Sequence, residues 1–392
     1  MILGMDAIQR IRQAVNRDRL LDTAVKLVEV PSWTGNAGDV SNRLADILAA
    51  DGFAVERPDG GHPAAPSVAV RFSSGKPGPV LQFNGHLDVV HLPFVPPKVE
   101  NGKLTGSGAC DMKGGVAAMV EALRAVRDSG LLTAGSILLT AHDLHEAPWG
   151  FGAQLDRLIR SGLHGDAVLI PEPLSGHLPA IGRGNATWKV RIRRSAPPVH
   201  EVMRPLDQPN VIGAGADLVS RLLARDQQLS AMRDPQAGEE SLFVGQLHAG
   251  EIYNQYPQEC WLEGTRRWLP DNDPTSVERD FRERLQVFAR DWKVEVQADY
   301  NVIRNAFRLD LKHPFVATFQ KSYRDITQTT LPVGPKPFVD DGNSFWRLAD
   351  VPAITHGAKA GGQHTVNEWV EIDDLVRVAA LYALVAVRFC AG

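Results

Sequence analysis

The sequence predicts an α/β fold: a helix-covered mixed sheet with a smaller α+β domain inserted into it. Short apolar strands alternate with amphipathic helices over the first 183 residues, which is typical of a sheet covered on both faces. From about residue 184 the strands instead alternate apolar and polar residues, and the earlier pattern returns after residue 302. The 392 residues, 44% apolar and 22% charged, are enough for two domains with buried cores.

The first part of the chain begins with helical periodicity from Asp6 to Val30, which Pro31 stops. A second amphipathic helix is predicted from Asp39 to Asp51, with Gly52 as its C-terminal signal. A third helix runs from Gly115 to near Gly130. The predicted strands are Ser67–Phe72, Val80–Asn84, Ser136–Ala141 and Ala167–Ile170. In such sheets ligands bind just beyond the carboxyl ends of the strands.

The inserted domain is predicted at residues 184–302, which leaves 1–183 and 303–392 as the catalytic domain. Two strand–helix–strand passes fill the insertion. Its strands are Thr187–Arg193, Glu259–Leu269 and Trp292–Tyr300, and its helices are Pro209–Ala224 and Asp273–Asp291. An apolar helix, Asp373–Phe389, closes the chain.

Composition excludes several classes of partner. The net charge of −4 argues against nucleic acid and anionic membranes, because both favour a basic excess. No apolar run approaches the ~20 residues that span a bilayer. The first residues meet charges too early for a signal peptide, and three scattered cysteines favour neither a disulfide framework nor a Cys-rich zinc site. We expect a cytoplasmic protein.

Imidazole and carboxylate clusters follow the predicted strands, and such side chains are the ligands of catalytic zinc sites. In GHLDVV, His86 and Asp88 lie two apart, so Asp88 can orient the His86 ring. The other clusters are Asp111 in GACDMKGG, the segment HDLHE, Glu172 in LIPEPL and His364 in GGQHTVNEWV. Each cluster alone is weak evidence, but their order along the chain points to a metal centre.

GHLDVV together with GACDMKGG resembles the M20 family of metallopeptidases and deacylases, and the resemblance spans nearly the whole chain. It implies two zinc ions, with cobalt or manganese as alternatives. Asp111 would bridge both ions, and a cis peptide bond would follow it. The remaining ligands would be His86 and Glu172 for one ion, and Glu146 and His364 for the other.

The inserted domain extends this resemblance. His200 is followed ten residues later by Asn210, with Pro205 between them. In the family this domain is a lid that also forms a homodimer, and such a histidine stabilises the oxyanion in a neighbouring subunit's site. Asn254 and Arg267 match family positions that hold the substrate carboxylate. The glycine-rich stretch around Gly361 would add backbone groups to that grip.

The third family motif is altered in this chain. The family has two adjacent glutamates, a general base and a zinc ligand, whereas this chain has His145–Glu146 after a longer turn. Glu146 can still be the ligand. His145 can accept a proton from a bound water as a neutral imidazole, or it can become an additional ligand. Asp143 is the other candidate base. A helical zincin is rejected because HDLHE lacks the HExxH spacing.

The sequence therefore predicts a metal-dependent amidohydrolase that cleaves a small N-acyl amino acid or a related carboxylate-bearing amide. Two alternatives stay open: a dipeptidase or exopeptidase, and a catalytically silent metal-bearing binding protein.

Overall fold

A computed structural model describes residues 5–392. The first four residues, which belong to the segment tested for a signal peptide, lie outside the described residues. The described helices are α1 (Met5–Ala14), α2 (Arg17–Val28), α3 (Gly38–Ala50), α4 (Lys113–Ser129), α5 (Ala153–Arg160), α6 (Val211–Leu229), α7 (Pro274–Trp292), α8 (Pro314–Thr327), α9 (Asp341–Ala349) and α10 (Ile372–Cys390), with one 3-10 turn at Glu201–Met203. Among these helices, none combines the length and the apolar character that a bilayer span needs.

The strands are short and many. They are β1 (Val55–Glu56), β2 (Val68–Ser73), β3 (Val80–His86), β4 (Lys98–Glu100), β5 (Lys103–Thr105), β6 (Ser136–His142), β7 (Ala167–Ile170), β8 (Leu178–Gly182), β9 (Gly184–Arg193), β10 (Val199–His200), β11 (Arg233–Asp234), β12 (Gly238–Glu239), β13 (Ser241–Ala249), β14 (Gln255–Tyr256), β15 (Glu259–Trp268), β16 (Glu295–Arg304), β17 (Phe307–Arg308), β18 (Val333–Lys336), β19 (Ala353–Thr355), β20 (Ala360–Gly361) and β21 (Trp369–Glu371).

The described chain divides into two compact units. The second unit comprises Ile181–Phe307 together with Lys336–Val339, and the rest of the chain forms the first unit. The short segment Lys336–Val339 was not assigned to the insertion from the sequence. That the second unit serves as a lid or dimerisation domain stays a prediction.

A six-stranded mixed sheet forms the centre of the first unit, in the order β1-β2-β6-β3-β7-β19. Strands β3, β6, β7 and β19 run parallel, whereas β1 and β2 are antiparallel additions at one edge. In β3 every residue after Val80 is buried. Because successive strand residues point to opposite faces, both faces of the sheet are covered. The predicted α/β class with a mixed sheet is confirmed.

Helices α4 and α10 pack against each other in this unit. Residues 378–387 of α10 are all buried, which is why its sequence is apolar on every side. Helix α4 is buried from Lys113 to Val126 and therefore holds the loop that precedes it against the sheet.

The single helix predicted from Asp6 to Val30 is wrong, because the structure has two helices there, α1 and α2. Asn16 separates them and caps α2, with its side-chain oxygen accepting a hydrogen bond from the Arg19 backbone N–H. The Asn16 backbone N–H donates to the buried Glu121 carboxylate at 2.7 Å. An asparagine side chain can replace a helical hydrogen bond and therefore favours such an interruption. The spacing of apolar residues carries no information about this effect.

The second unit contains an antiparallel sheet in the order β13-β15-β9-β16. The even-numbered residues of β9 from Ala186 to Ile192 are buried with residues of α6 and α7, including Leu218 and Phe281. Strand β13 was not predicted, since most of its side chains are exposed or half-buried and its apolar pattern is weak. Helix α6 extends to Leu229, five residues beyond its predicted end.

Candidate metal centre

Three parallel strands deliver side chains to one edge of the first unit's sheet. Strand β3 ends at His86, and β6 ends at His142, which is its register partner. Glu146 follows β6, and Glu172 follows β7. Because the carboxyl ends of parallel strands meet at the same edge, residues distant in sequence converge there.

The structure brings all five predicted metal residues together. Asp111 lies at the centre: its Oδ1 is 3.1 Å from His86 Nε2, and its Oδ2 is 3.4 Å from His364 Nε2. Around it, Glu172 Oε1 lies 3.4 Å from His86 Nε2, and Glu146 Oε1 lies 3.3 Å from His364 Nε2. Each oxygen of Asp111 therefore faces a different histidine–glutamate pair, as a bridging carboxylate requires.

This donor set fits two divalent cations. Zinc bonds of about 2.0–2.2 Å at tetrahedral angles separate neighbouring donor atoms by roughly 3.3 Å. The four histidine–carboxylate distances, 3.1–3.4 Å, agree with that separation. Imidazole and carboxylate ligands also suit cobalt and manganese, so the geometry does not select one metal.

Electrostatics also favours cations at this cluster. Burial raises the pKa of Glu172 well above its ordinary value, and the charge of Asp111 raises it further. Burial lowers the pKa of His86, but its hydrogen bonds to Asp111 and Glu172 outweigh that effect and raise the pKa well above normal. Hydrogen bonds to Asp111 and Glu146 raise the pKa of His364 to about 10. The carboxylates thus attract positive charge into a site whose residues are buried except for His364.

The loop that carries Asp111 is fixed by contacts that the sequence analysis missed. Glu368 accepts hydrogen bonds from the backbone N–H groups of Cys110 and Asp111, each at 3.1 Å. Burial and the charge of Asp111 raise the pKa of Glu368 to about 7. The peptide bond between Asp111 and Met112 is cis, as the family resemblance implied. Glu368 lies only four residues after His364, and that proximity was the one available signal.

Asp88 acts differently from the prediction. The His86 Nδ1 atom lies 2.9 Å from the backbone oxygen of Asp88, whereas the Asp88 carboxylate is 3.6 Å away. That carboxylate instead accepts hydrogen bonds from the backbone N–H groups of His145 and Glu146. Asp88 therefore orients His86 through its main chain, and its side chain fixes the loop that carries the third motif. Strand β3 ends before Asp88, so the two-residue strand spacing does not apply.

Asp143, the other candidate base, accepts hydrogen bonds from a loop outside the metal cluster. It is buried, and its two oxygens accept hydrogen bonds from the backbone N–H groups of Gly35 and Ala37 at 3.0 and 3.1 Å. His62 Nε2 lies 3.5 Å from the same carboxylate. The longer turn after β6 places Leu144 at a φ of 59° and does not release Asp143 from these contacts. The structure therefore favours His145 over Asp143 as the base.

The ring of His145 stacks on the ring of His86. Their centroids are 3.9 Å apart, and the two planes differ by 7°. The His145 Nε2 atom lies 3.7 Å from Glu172 Oε1, and its Nδ1 atom lies 2.8 Å from Asp341 Oδ1. Asp341, which the sequence analysis also missed, is fully buried. Burial raises its pKa, but His142 and His145 outweigh burial and hold that pKa well below its usual range.

Stacking argues against His145 as an additional ligand of the ion at His86. The donor atoms of His86, His145 and Glu172 lie within 4.8 Å of one another, so distance alone would permit such a role. However, an imidazole lone pair lies in the plane of its ring. Two nearly parallel rings whose centroids are 3.9 Å apart share no point at which one ion could meet both lone pairs. His145 therefore lies beside the cluster and faces it with Nε2.

The remaining predicted residues lie in both units. In the second unit, His200 Nε2 is 3.0 Å from Asn254 Nδ2, and Asn210 caps α6. The Asn254 amide is thus occupied by His200, whereas it was predicted to hold a carboxylate. Burial and the nearby Arg183 lower the pKa of Arg267. Gly361 lies in the first unit and pairs with Trp369; the substrate roles of these residues stay predictions.

Sequence comparison places the chain in a family. Residues 82–388 match the sequence model of peptidase family M20/M25/M40. The chain belongs to this family. Membership makes it a metallohydrolase that acts on amide bonds, in a family that typically binds two metal ions. Similarity extends over nearly the whole M20 chain: a succinyl-diaminopimelate desuccinylase of Methylobacterium radiotolerans is 30% identical, with 96% of this chain and 98% of the relative covered.

Solved structures share the fold of this M20 protein. A tripeptidase from Staphylococcus aureus gives a TM-score of 0.81 at 21% identity, covering 97% of this chain and 100% of that one. Human carnosine dipeptidase 1 gives a TM-score of 0.74 at 16% identity, covering 98% of this chain and 99% of that one. At these identities the likeness concerns the fold.

Proposed function

We propose that the chain is a two-metal amidohydrolase that cleaves the amide bond of a small N-acyl amino acid or a related carboxylate-bearing amide. The observation that carries the proposal is the division of Asp111 between two histidine–glutamate pairs. His86 and Glu172 would hold one ion, Glu146 and His364 the other, and zinc is the first choice of metal. Two such ions polarise a carbonyl group and lower the pKa of a bound water.

His145 is the proposed proton acceptor. Its Nε2 faces the cluster, and the family glutamate that would otherwise serve is absent from this chain. In the reaction, water adds its oxygen to the acyl carbon, the C–N bond breaks, and a carboxylate and an amine result. His145 Nε2 accepts the proton that the attacking water loses and passes it to the leaving nitrogen.

The second unit supplies the other proposed groups. His200 is about half-exposed and lies beside the exposed apolar side chains of Val202 and Met203. An exposed imidazole among apolar side chains suits a site on another copy of the chain, so we assign the oxyanion contact to His200 of a homodimer formed through this unit. Arg267 of this unit is the proposed contact for the substrate carboxylate.

The desuccinylase relative supports an N-succinyl amino acid as the first substrate to test. The dipeptidase alternative differs only in what stands on the acyl side of the bond. The third motif supports the silent binding alternative, because a histidine stands where the family has its catalytic glutamate.

The test is a panel of N-succinyl and N-acetyl amino acids and dipeptides, each assayed with zinc, cobalt or manganese. We expect hydrolysis of at least one acyl amino acid. His145→Ala should lower kcat by about 10²–10⁴-fold while the metal content stays at wild-type level. His164→Ala is the matched control, since the His164 ring contacts the neighbouring Gly165 carbonyl and lies outside the cluster. Two bound metals without turnover on any substrate would favour the silent binding protein.

A further inference from the structure

Asp341 connects His145 to a buried hydrogen-bond network. Its Oδ1 lies 2.8 Å from His145 Nδ1, and its Oδ2 lies 2.9 Å from His142 Nε2 and 2.8 Å from the Asn84 amide nitrogen. Asp341, His142 and Asn84 are all at most 1% exposed. The two carboxylate oxygens thus contact different groups. Oδ2 contacts side chains of strands β3 and β6, and Oδ1 contacts His145.

The backbone at Asp341 is itself held in place. Asp341 is the first residue of α9, and Asp340 caps that helix in a reciprocal capping box with Asn343. Thr355 donates a hydrogen bond to Asp340 at 2.7 Å. On the other side, Thr140 donates to Asn84 at 2.8 Å, which fixes the amide that meets Asp341. A carboxylate supported on both sides has little freedom to follow a moving ring.

The contact with Asp341 favours one tautomer of the His145 ring. A carboxylate accepts hydrogen bonds, so Asp341 favours the tautomer with hydrogen on Nδ1 and none on Nε2. The Nε2 atom is the one that faces Glu172 and the metal residues. Stacking on His86 prevents the ring from leaving this plane.

We propose that Asp341 is a positioning residue, which holds the His145 ring in the orientation and tautomer that present Nε2 to the reacting water. The inference rests on the proposed function, since it assigns a partner to the proposed proton acceptor. A buried Asp–His pair would thus do in this chain what a glutamate does in its family. The competing explanation is that Asp341 only satisfies the buried His142 and Asn84.

A double-mutant cycle separates the two explanations. Asp341→Asn is isosteric, and an orienting role predicts a loss of kcat of about 10²–10⁴-fold, with KM within about threefold and metal content unchanged. If Asp341 acts through His145, the loss disappears in the His145→Ala background, because the double variant then equals His145→Ala alone. Losses that multiply in the double variant would overturn the proposal.

Histidine ¹⁵N NMR of the metal-free protein tests the tautomer without relying on activity. The signal that vanishes in His145→Ala identifies that ring. We expect it to carry hydrogen on Nδ1 in the wild type and to change tautomer in Asp341→Asn. A wild-type ring with hydrogen on Nε2 would overturn the inference. If the NMR result holds while no amide is cleaved, the proposed function has failed and the positioning contact has not.

Thr355→Val is the matched control for a general disturbance at the start of α9. It removes the hydrogen bond to Asp340 and leaves the Asp341 carboxylate intact, so the His145 tautomer should not change. If Asp341→Asn does not fold, Asp341→Glu retains the charge but displaces its oxygens, and the same two measurements apply. A wild-type tautomer and full activity in Asp341→Glu would then contradict the proposal.

Discussion

Metal binding should stabilise the first unit by an amount that follows from its donor set. If the cluster binds ions only when folded, a free metal concentration 100 times Kd adds about 2.7 kcal/mol per site. The first unit comprises roughly two thirds of the chain. For a unit of that size, each kcal/mol raises Tm by about 2–4 °C. Occupation of one site should therefore raise its Tm by roughly 5–10 °C, and occupation of both by more.

The assay is differential scanning calorimetry of chelator-treated protein against increasing zinc. Asp111→Asn should abolish most of the rise, because Asp111 contacts the histidines of both pairs. In His145→Ala the rise in Tm should differ from the wild-type rise by no more than about 2 °C. The reason is that a ring stacked on His86 cannot point its lone pair at the ion that His86 would hold. Asp166→Asn is the control, as that carboxylate caps the backbone of Val80 instead.

Two results would refute this reasoning. No rise in the wild type would show that the five side chains do not form a cation site. A rise that disappears in His145→Ala while it persists in Asp166→Asn would show that His145 is a ligand, and the ring-plane argument would be wrong.

Three further predictions concern stability in urea. Gly115→Ala should cost about 1–3 kcal/mol, because the added Cβ would lie 2.5 Å from a proline carbonyl oxygen. Gly176→Ala, whose Cβ would have no atom within 4 Å, should change stability by less than about 0.5 kcal/mol. Equal effects of the two substitutions would contradict the packing argument. Glu121→Ala should cost about 3 kcal/mol, since it removes a fully buried carboxylate from its ion pairs with Arg19 and Arg124 and from its hydrogen bond with the Asn16 backbone N–H. A loss below about 1 kcal/mol would count against this role. Burial and a neighbouring arginine lower the pKa of His356 from about 6.5 to about 3, so at this residue the unfolded chain binds the extra proton between these values. His356 should therefore contribute a loss of about 2 kcal/mol of stability from pH 8 to pH 5, and His356→Asn should remove that contribution. An unchanged pH dependence in His356→Asn would assign the slope to other groups.

Local signals in the sequence were sufficient for the four strands predicted in the first unit. Strand Ala167–Ile170 has its predicted bounds, and the ends of the other three strands predicted in the first unit fall within two residues of the observed ones. These segments are short apolar runs between turn signals. Such a run is typical of a strand that is buried on both faces. The five predicted metal residues were assigned from resemblance to family motifs, and three of them, His86, Glu146 and Glu172, lie at or just after the ends of neighbouring parallel strands.

The failures came where a partner distant in sequence decides the outcome. The break at Asn16 depends on Glu121, 105 residues away, and apolar periodicity cannot register that contact. Asp143 and Asp88 were given roles by proximity in sequence, but backbone N–H groups of other loops occupy their carboxylates.

The sequence by itself determined the fold class and predicted five metal-binding side chains, because periodicity and motif spacing are local properties of the chain. Only the tertiary structure decided the orientation of the His145 ring. The sequence around His145 does not predict the orientation of its ring. That orientation is set by stacking on His86 and by a hydrogen bond to Asp341, 196 residues further along the chain. The direction in which an imidazole presents its lone pair depends on the groups packed around it, and those groups come together only on folding.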